Sequence, residues 1–214
     1  MTDVFWRQMD ILNPDEMKPV TLIGCGAIGS ATGLMLAKLG IKDFTLFDPD
    51  EIEEHNIPNQ LYPSRSIGLF KIDELNEVMN NFAPQEINVK AVQKKFDGND
   101  INPIVICAVD SMKERKEIWK KIKYQAQASL YIDARMGGET MRIYAINPCD
   151  PDHIEFYEKT FYSADDLPCT AQSIIYNIFV ISGLIGSLIK KHLKGQPCVK
   201  EMIFKLDDYN LYFK

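Results

Sequence analysis

The sequence has no Cys-x-x-Cys pair and only three histidines. Its five cysteines, at positions 25, 107, 149, 169 and 198, are scattered. Such spacing offers no disulfide framework, and Cys149 and Cys198 could not close a tetrahedral zinc site without histidine help, so no zinc is expected. Positive charge is also scarce: 30 Asp and Glu outnumber 24 Lys and Arg, for a net charge of −6. That balance lacks the basic footprint that nucleic acid or an anionic membrane surface requires. The first residues show no charged-then-apolar signal segment, and no internal repeat or low-complexity tract occurs. Together with the unpaired cysteines, this points to a reducing cytoplasm. One uncharged run, Ala171 to Ile189, approaches the length that spans a bilayer. It contains Gln172, Tyr176, Asn177 and several Ser and Gly, so it is expected to be a core or dimer helix rather than a membrane span.

What is present is a pattern of alternating elements. With 214 residues, 46% of them hydrophobic, the chain can bury one substantial core, and a single domain over residues 1–214 is expected. Short β-branched or aromatic runs predict strands at Val20 to Ile23, Asp43 to Phe47, Ile87 to Val92, Ile104 to Ala108 and Leu130 to Asp133. Helical patterns lie between them, at Ala27 to Leu39, Leu69 to Phe82 and Met112 to Gln127. This alternation predicts an α/β, Rossmann-like, mostly parallel sheet with helices on both faces. After Gly137-Gly138 the rhythm changes. Met141 to Ile146 reads as a strand, Pro148 to Pro168 as an acidic connection, Ala171 to His192 as a long helix, and Glu201 to Phe213 as a hairpin turning at Asp207-Asp208.

The most informative stretch is the apolar strand from Val20 that runs into Gly24-x-Gly26-x-x-Gly29. Backbone N–H groups of Gly24, Gly26, Ala27 and Gly29, at the positive end of a helix, would face an anion there. The glycines alone fit any dinucleotide-binding fold. Asp48, about twenty residues on at the end of the second strand, is placed to accept from ribose hydroxyls, or else to cap a turn. The following loop, with Asp50, Asn56, Asn59 and Gln60, reads either as phosphate contacts or as ordinary turn chemistry. Lys71 near the next helix start offers a point charge for a β- or γ-phosphate. Asp110, just past an apolar strand, is a candidate Mg²⁺ ligand or helix cap. This constellation favours ATP over a nicotinamide cofactor.

These residues resemble the adenylating domain of the ubiquitin-activating enzyme superfamily, which includes the bacterial sulfur-carrier adenylyltransferases of molybdopterin and thiamine synthesis. The resemblance covers most of the chain. It runs from Trp6-Arg7-Gln8 through the glycine loop, Asp48, Asp50-x-Ile-Glu-x-x-Asn56, Gln60, Gly68-x-x-Lys71 and Ala108-Val-Asp110 to Cys169-Thr-Ala-Gln and the long helix. It implies that ATP and Mg²⁺ are used to convert a carboxylate into an acyl-adenylate, usually the Gly-Gly type C-terminus of a ubiquitin-like or sulfur-carrier protein. It further implies that Arg7 enters the ATP site of a second copy in a homodimer, and that Cys169 can accept the acyl group. The family often carries a zinc held by two Cys-x-x-Cys pairs, which this sequence lacks. It also places Asn59 where a second Arg is usual, and Arg65 is a candidate replacement. Two other outcomes stay open: a small-molecule or peptide carboxylate as substrate, and a catalytically silent nucleotide-binding partner subunit. Arg135, beyond the fifth strand, is read either as a contact for a substrate carboxylate or as a salt bridge to Glu139.

Overall fold

The computed structural model describes residues 4–161 and 174–214. Eight strands form one sheet in the order β3-β2-β1-β4-β5-β6-β7-β8. They are β1 (Val20–Ile23), β2 (Asp43–Phe47), β3 (Asn88–Val92), β4 (Ile104–Cys107), β5 (Leu130–Gly137), β6 (Thr140–Ile146), β7 (Glu201–Lys205) and β8 (Asn210–Phe213). The first five pair in parallel and the last three add on antiparallel. This is the expected Rossmann-like α/β sheet with C-terminal strands and hairpin.

The burial pattern explains the topology. Every residue of β1 and β4 is buried, as a central parallel strand covered on both faces requires. Val20, Leu22, Ile132 and Ala134 point into one core with α1 (Ala27–Leu39), α2 (Lys71–Phe82) and α5 (Ile175–Leu193). Ile23, Cys107 and Tyr131 point into a second core with α3 (Met112–Ile122) and α4 (Pro151–Lys159). α5 lies along α1: Thr32 and Ser182 share a hydrogen bond at 3.1 Å, and Gly186 seats against Met35. Its inner face, Ile178, Ile181, Ile185 and Ile189, is buried, whereas Tyr176 and Phe179 face outward. Among the described residues no helix is long and apolar enough to cross a membrane.

Three sequence expectations are corrected. α3 stops at Ile122 rather than Gln127, because Ile118, Trp119 and Ile122 complete its buried face and Tyr124 turns to φ +67, giving its N–H to the Pro148 carbonyl at 2.9 Å. The segment read as an acidic connection contains α4, started by the Asp150 carboxylate, which accepts from the N–H groups of Asp152 and His153, and by Pro151 in the first turn. β5 continues past Asp133 to Gly137 and turns through Gly138, at φ +57, into β6.

Candidate functional site

β1, β2 and β4 end level with one another, with Ile23 beside both Phe47 and Cys107. After β1 the chain goes first to β2 on one side and later to β4 on the other, so the topological switch point, the crevice where open α/β sheets take ligands, lies beyond these strand ends. The glycine loop lines it. Gly24 sits at φ +92, and a Cβ there would lie 2.9 Å from the Ala108 carbonyl. A Cβ on Gly29 would stand 1.9 Å from the Gly24 oxygen, so α1 can start this close to the loop only without a side chain. Gly26 caps α1 with no side-chain hydrogen bond, which leaves the helix N-terminus to an outside anion.

Asp48 is buried and stitches this loop to β2. One of its oxygens accepts from Cys25 N–H at 2.6 Å and the other from Asp50 N–H at 2.8 Å. Burial raises its pKa above the usual carboxylate value, against the pull of those two N–H groups and Lys71. Each oxygen keeps lone-pair capacity for a further donor such as a ribose hydroxyl, so the turn-capping and ribose readings are compatible. Lys71, nearly buried, points its Nζ at Asp50 Oδ2, 3.0 Å away. Asn56 orders its loop: its Oδ1 accepts from Glu53 N–H at 2.9 Å in a reciprocal capping box. Gln60 Oε1 is buried with no donor among the described residues, and Asn59 is in the same turn. Arg65, on a short 3-10 turn, is exposed.

Asp110 lies beyond β4 at the same edge and is exposed. Ser111, not Asp110, caps α3. Asp110 makes no hydrogen bond or ion pair among the described residues, which also contain no group of three or more metal-ligating side chains. One carboxylate beside the glycine loop fits Mg²⁺, which binds through one or two carboxylates plus substrate phosphates rather than in an all-protein cage.

Arg7 does not join this cluster. Its segment is pinned at the far end of α1, with Phe5 packed against Gly40 and Gln8 Nε2 donating to the Leu39 carbonyl at 2.8 Å. α1 has 13 residues, so that end lies about 20 Å from the glycine loop. The exposed Arg7 guanidinium rests over Trp6 at 5.3 Å. Cys169 lies outside the described residues. Cys25 and Cys107 are fully buried, and burial pushes the Cys25 thiol well up, as for a packing residue.

Arg135 is a correction. It does not reach Glu139, which is bonded to Tyr176; its Nε donates to Asp133 Oδ2 at 2.7 Å, and its guanidinium lies over Tyr144 at 4.5 Å. Three further residues were not legible in the sequence. Asp133, wholly buried, takes Arg115, Arg135 and Tyr157 together. Arg115 also donates to the carbonyls of Val109 and Ala134, tying the loop before Asp110 to β5. Tyr62 donates its hydroxyl to the Cys25 carbonyl at 2.5 Å, with the Lys71 carbonyl 3.3 Å away, and so joins the glycine loop to the start of α2. The only sequence signal was a short spacing: Arg115 lies one helical turn past Ser111.

The model of the ThiF family matches residues 16–212. Ubiquitin-like modifier-activating enzyme 5 of Bombyx mori is 33% identical over 81 residues, 36% of this chain and 21% of that protein. Adenylyltransferase and sulfurtransferase uba4 of Aspergillus fumigatus is 33% identical over 66 residues, 30% of this chain and 13% of its own length. Among solved structures, E. coli MccB with ATP has a TM-score of 0.72 at 20% identity, covering 94% of this chain and 65% of MccB. PaaA has a TM-score of 0.74 at 16% identity, covering 94% of this chain and 64% of PaaA. The matches thus span under a quarter of these two curated relatives and just under two thirds of the solved ones.

Proposed function

Because the chain belongs to the ThiF family, we propose that it is an ATP-dependent adenylyltransferase, activating the C-terminal carboxylate of a small ubiquitin-like or sulfur-carrier protein. The observation that carries this reading is the open N-terminus of α1, bracketed at one sheet edge by Asp48, Lys71 and Asp110. In the reaction a carboxylate oxygen attacks the α-phosphorus, forming a C–O–P linkage, while the bond to the β-phosphate breaks and pyrophosphate leaves with its electron pair. Two anions must meet, so the site's task is neutralisation and alignment. The N–H groups of Gly26 and Ala27 hold phosphate, Asp48 takes the ribose, and Lys71 moves from Asp50 toward the outer phosphates. Asp110 would hold Mg²⁺, which would supply charge neutralisation at the phosphates.

In this reading residues 1–214 form one adenylating domain of a cytoplasmic homodimer, Arg7 serves the site of the second copy, and Cys169 is the candidate acceptor of the acyl group. The names of the curated relatives support a protein carrier. A second reading, a peptide or small-molecule carboxylate, is supported by the cover of nearly the whole chain by MccB, solved with AMPCPP and MccA. The Asn at position 59 supports a third, a silent subunit that binds nucleotide without turning it over.

The test is ATP–pyrophosphate exchange by the purified protein, with carrier proteins and then small carboxylates offered in turn. Exchange that needs Mg²⁺ and an acceptor, and that Asp110→Ala lowers by at least about a hundredfold, is expected. Nucleotide binding without exchange for any acceptor would favour the silent subunit, and robust exchange by Asp110→Ala would remove that residue from the mechanism.

A further inference from the structure

The crossover from β3 to β4, residues 93–103, brings a second lysine to the same crevice. β3 ends at Val92 beside Phe47, so the next residues emerge level with Asp48 and Asp50. The base of this segment is fixed: the Phe96 ring is buried edge-on against Phe47 at 5.1 Å, and the Phe96 carbonyl accepts from Lys121 Nζ at 2.8 Å. From that anchor the Lys95 side chain extends, largely exposed, to an ion pair with Glu114 in the first turn of α3, the helix that follows Asp110. Its ammonium lies within electrostatic reach of Asp50 and Asp110 as well as Glu114, and its pKa is raised chiefly by the bond to Glu114. Lys94, next in sequence, turns to Asp97 at 2.6 Å instead.

Charge explains why this placement matters. The crevice edge holds Asp48, Asp50, Asp110 and Glu114, and moving Lys71 to the phosphates leaves Asp50 without its counter-ion. A nucleoside triphosphate entering beside four carboxylates needs another cation, and a lysine held by an exposed ion pair is released at little cost. We propose that Lys95 exchanges its Glu114 partner for the β- and γ-phosphates of the bound nucleotide, with Glu114 as its resting counter-ion. This rests on the adenylating reading above and adds to it a residue that binds the leaving pyrophosphate rather than the adenylate. Lysine suits this task, as a point charge on a flexible stem that can follow the departing group.

Titration calorimetry of the whole protein with a non-hydrolysable ATP analogue, and separately with AMP, tests this. Lys95→Ala is expected to weaken the ATP analogue about tenfold while leaving AMP unchanged. Lys95→Arg should retain most of the affinity, Lys94→Ala should match the unsubstituted protein, and Glu114→Gln should tighten the analogue by freeing the lysine. Equal losses for the analogue and AMP, or no loss for either in Lys95→Ala, would overturn the role of Lys95. Failure of the unsubstituted protein to bind either nucleotide would instead overturn the adenylating reading on which it rests.

Discussion

Tyr62 and Asp48 both hold backbone atoms around the glycine loop, and each predicts a distinct effect. Tyr62→Phe keeps the buried ring but removes the donor to the Cys25 carbonyl. The loss should destabilise the fold by about 1–2 kcal/mol and raise KM for ATP more than it lowers kcat; urea unfolding and exchange kinetics measure the two. Asp48 has a raised folded-state pKa, so the folded protein holds this proton to higher pH than the unfolded chain does. The stability from this group is therefore fully present below the unfolded value and is lost as pH rises through the folded one. Measured by urea unfolding from acid toward neutral pH, the stability of the native protein relative to Asp48→Asn should fall as pH rises. Asp48 and the glycines were legible because close backbone approach and strand ends leave marks in the sequence. Tyr62 was not: its partner Cys25 is 37 residues away, and only the fold brings them together. The salt bridge of Arg135 to Glu139 was misread because strand pleating puts residues i and i+2 on one face, which hands the guanidinium to Asp133 before Glu139.

At the scale of elements, the join between β4, α3 and β5 is made by charge. Arg115 and Arg135 meet on the buried Asp133 carboxylate, and Arg115 carries that restraint to Val109, immediately before Asp110. Removing the carboxylate by Asp133→Ala leaves two buried guanidinium groups without their counter-ion and should cost on the order of 3–5 kcal/mol, read as a lower urea midpoint at unchanged m-value. The parallel strands were legible from their short β-branched or aromatic runs, continuous and apolar in β4. The end of α3 and the start of α4 were harder to read. A helix stops where its buried face is complete, which depends on what lies opposite, and the Asp150-Pro151 start signal sat inside a run that reads as polar connection.

At the scale of the molecule, the position of Arg7 sets the strongest constraint. With its segment pinned to the far end of α1, this guanidinium cannot serve the glycine loop of its own chain unless that anchorage is undone. If Arg7 instead completes the site of a second copy, Arg7→Ala should lower exchange on the order of a thousandfold, and so should Asp110→Ala for a different reason. Mixing the two inactive variants then separates arrangements that single variants cannot. In a mixed dimer, the chain lacking Arg7 keeps its own Asp110 and receives Arg7 from its partner, so one of the two sites is whole. Random mixing should restore activity to about a quarter of the sites. A residue acting within its own chain would restore nothing, because each chain would carry its own defect, and a mixture as inactive as its parents would remove Arg7 from the partner's site.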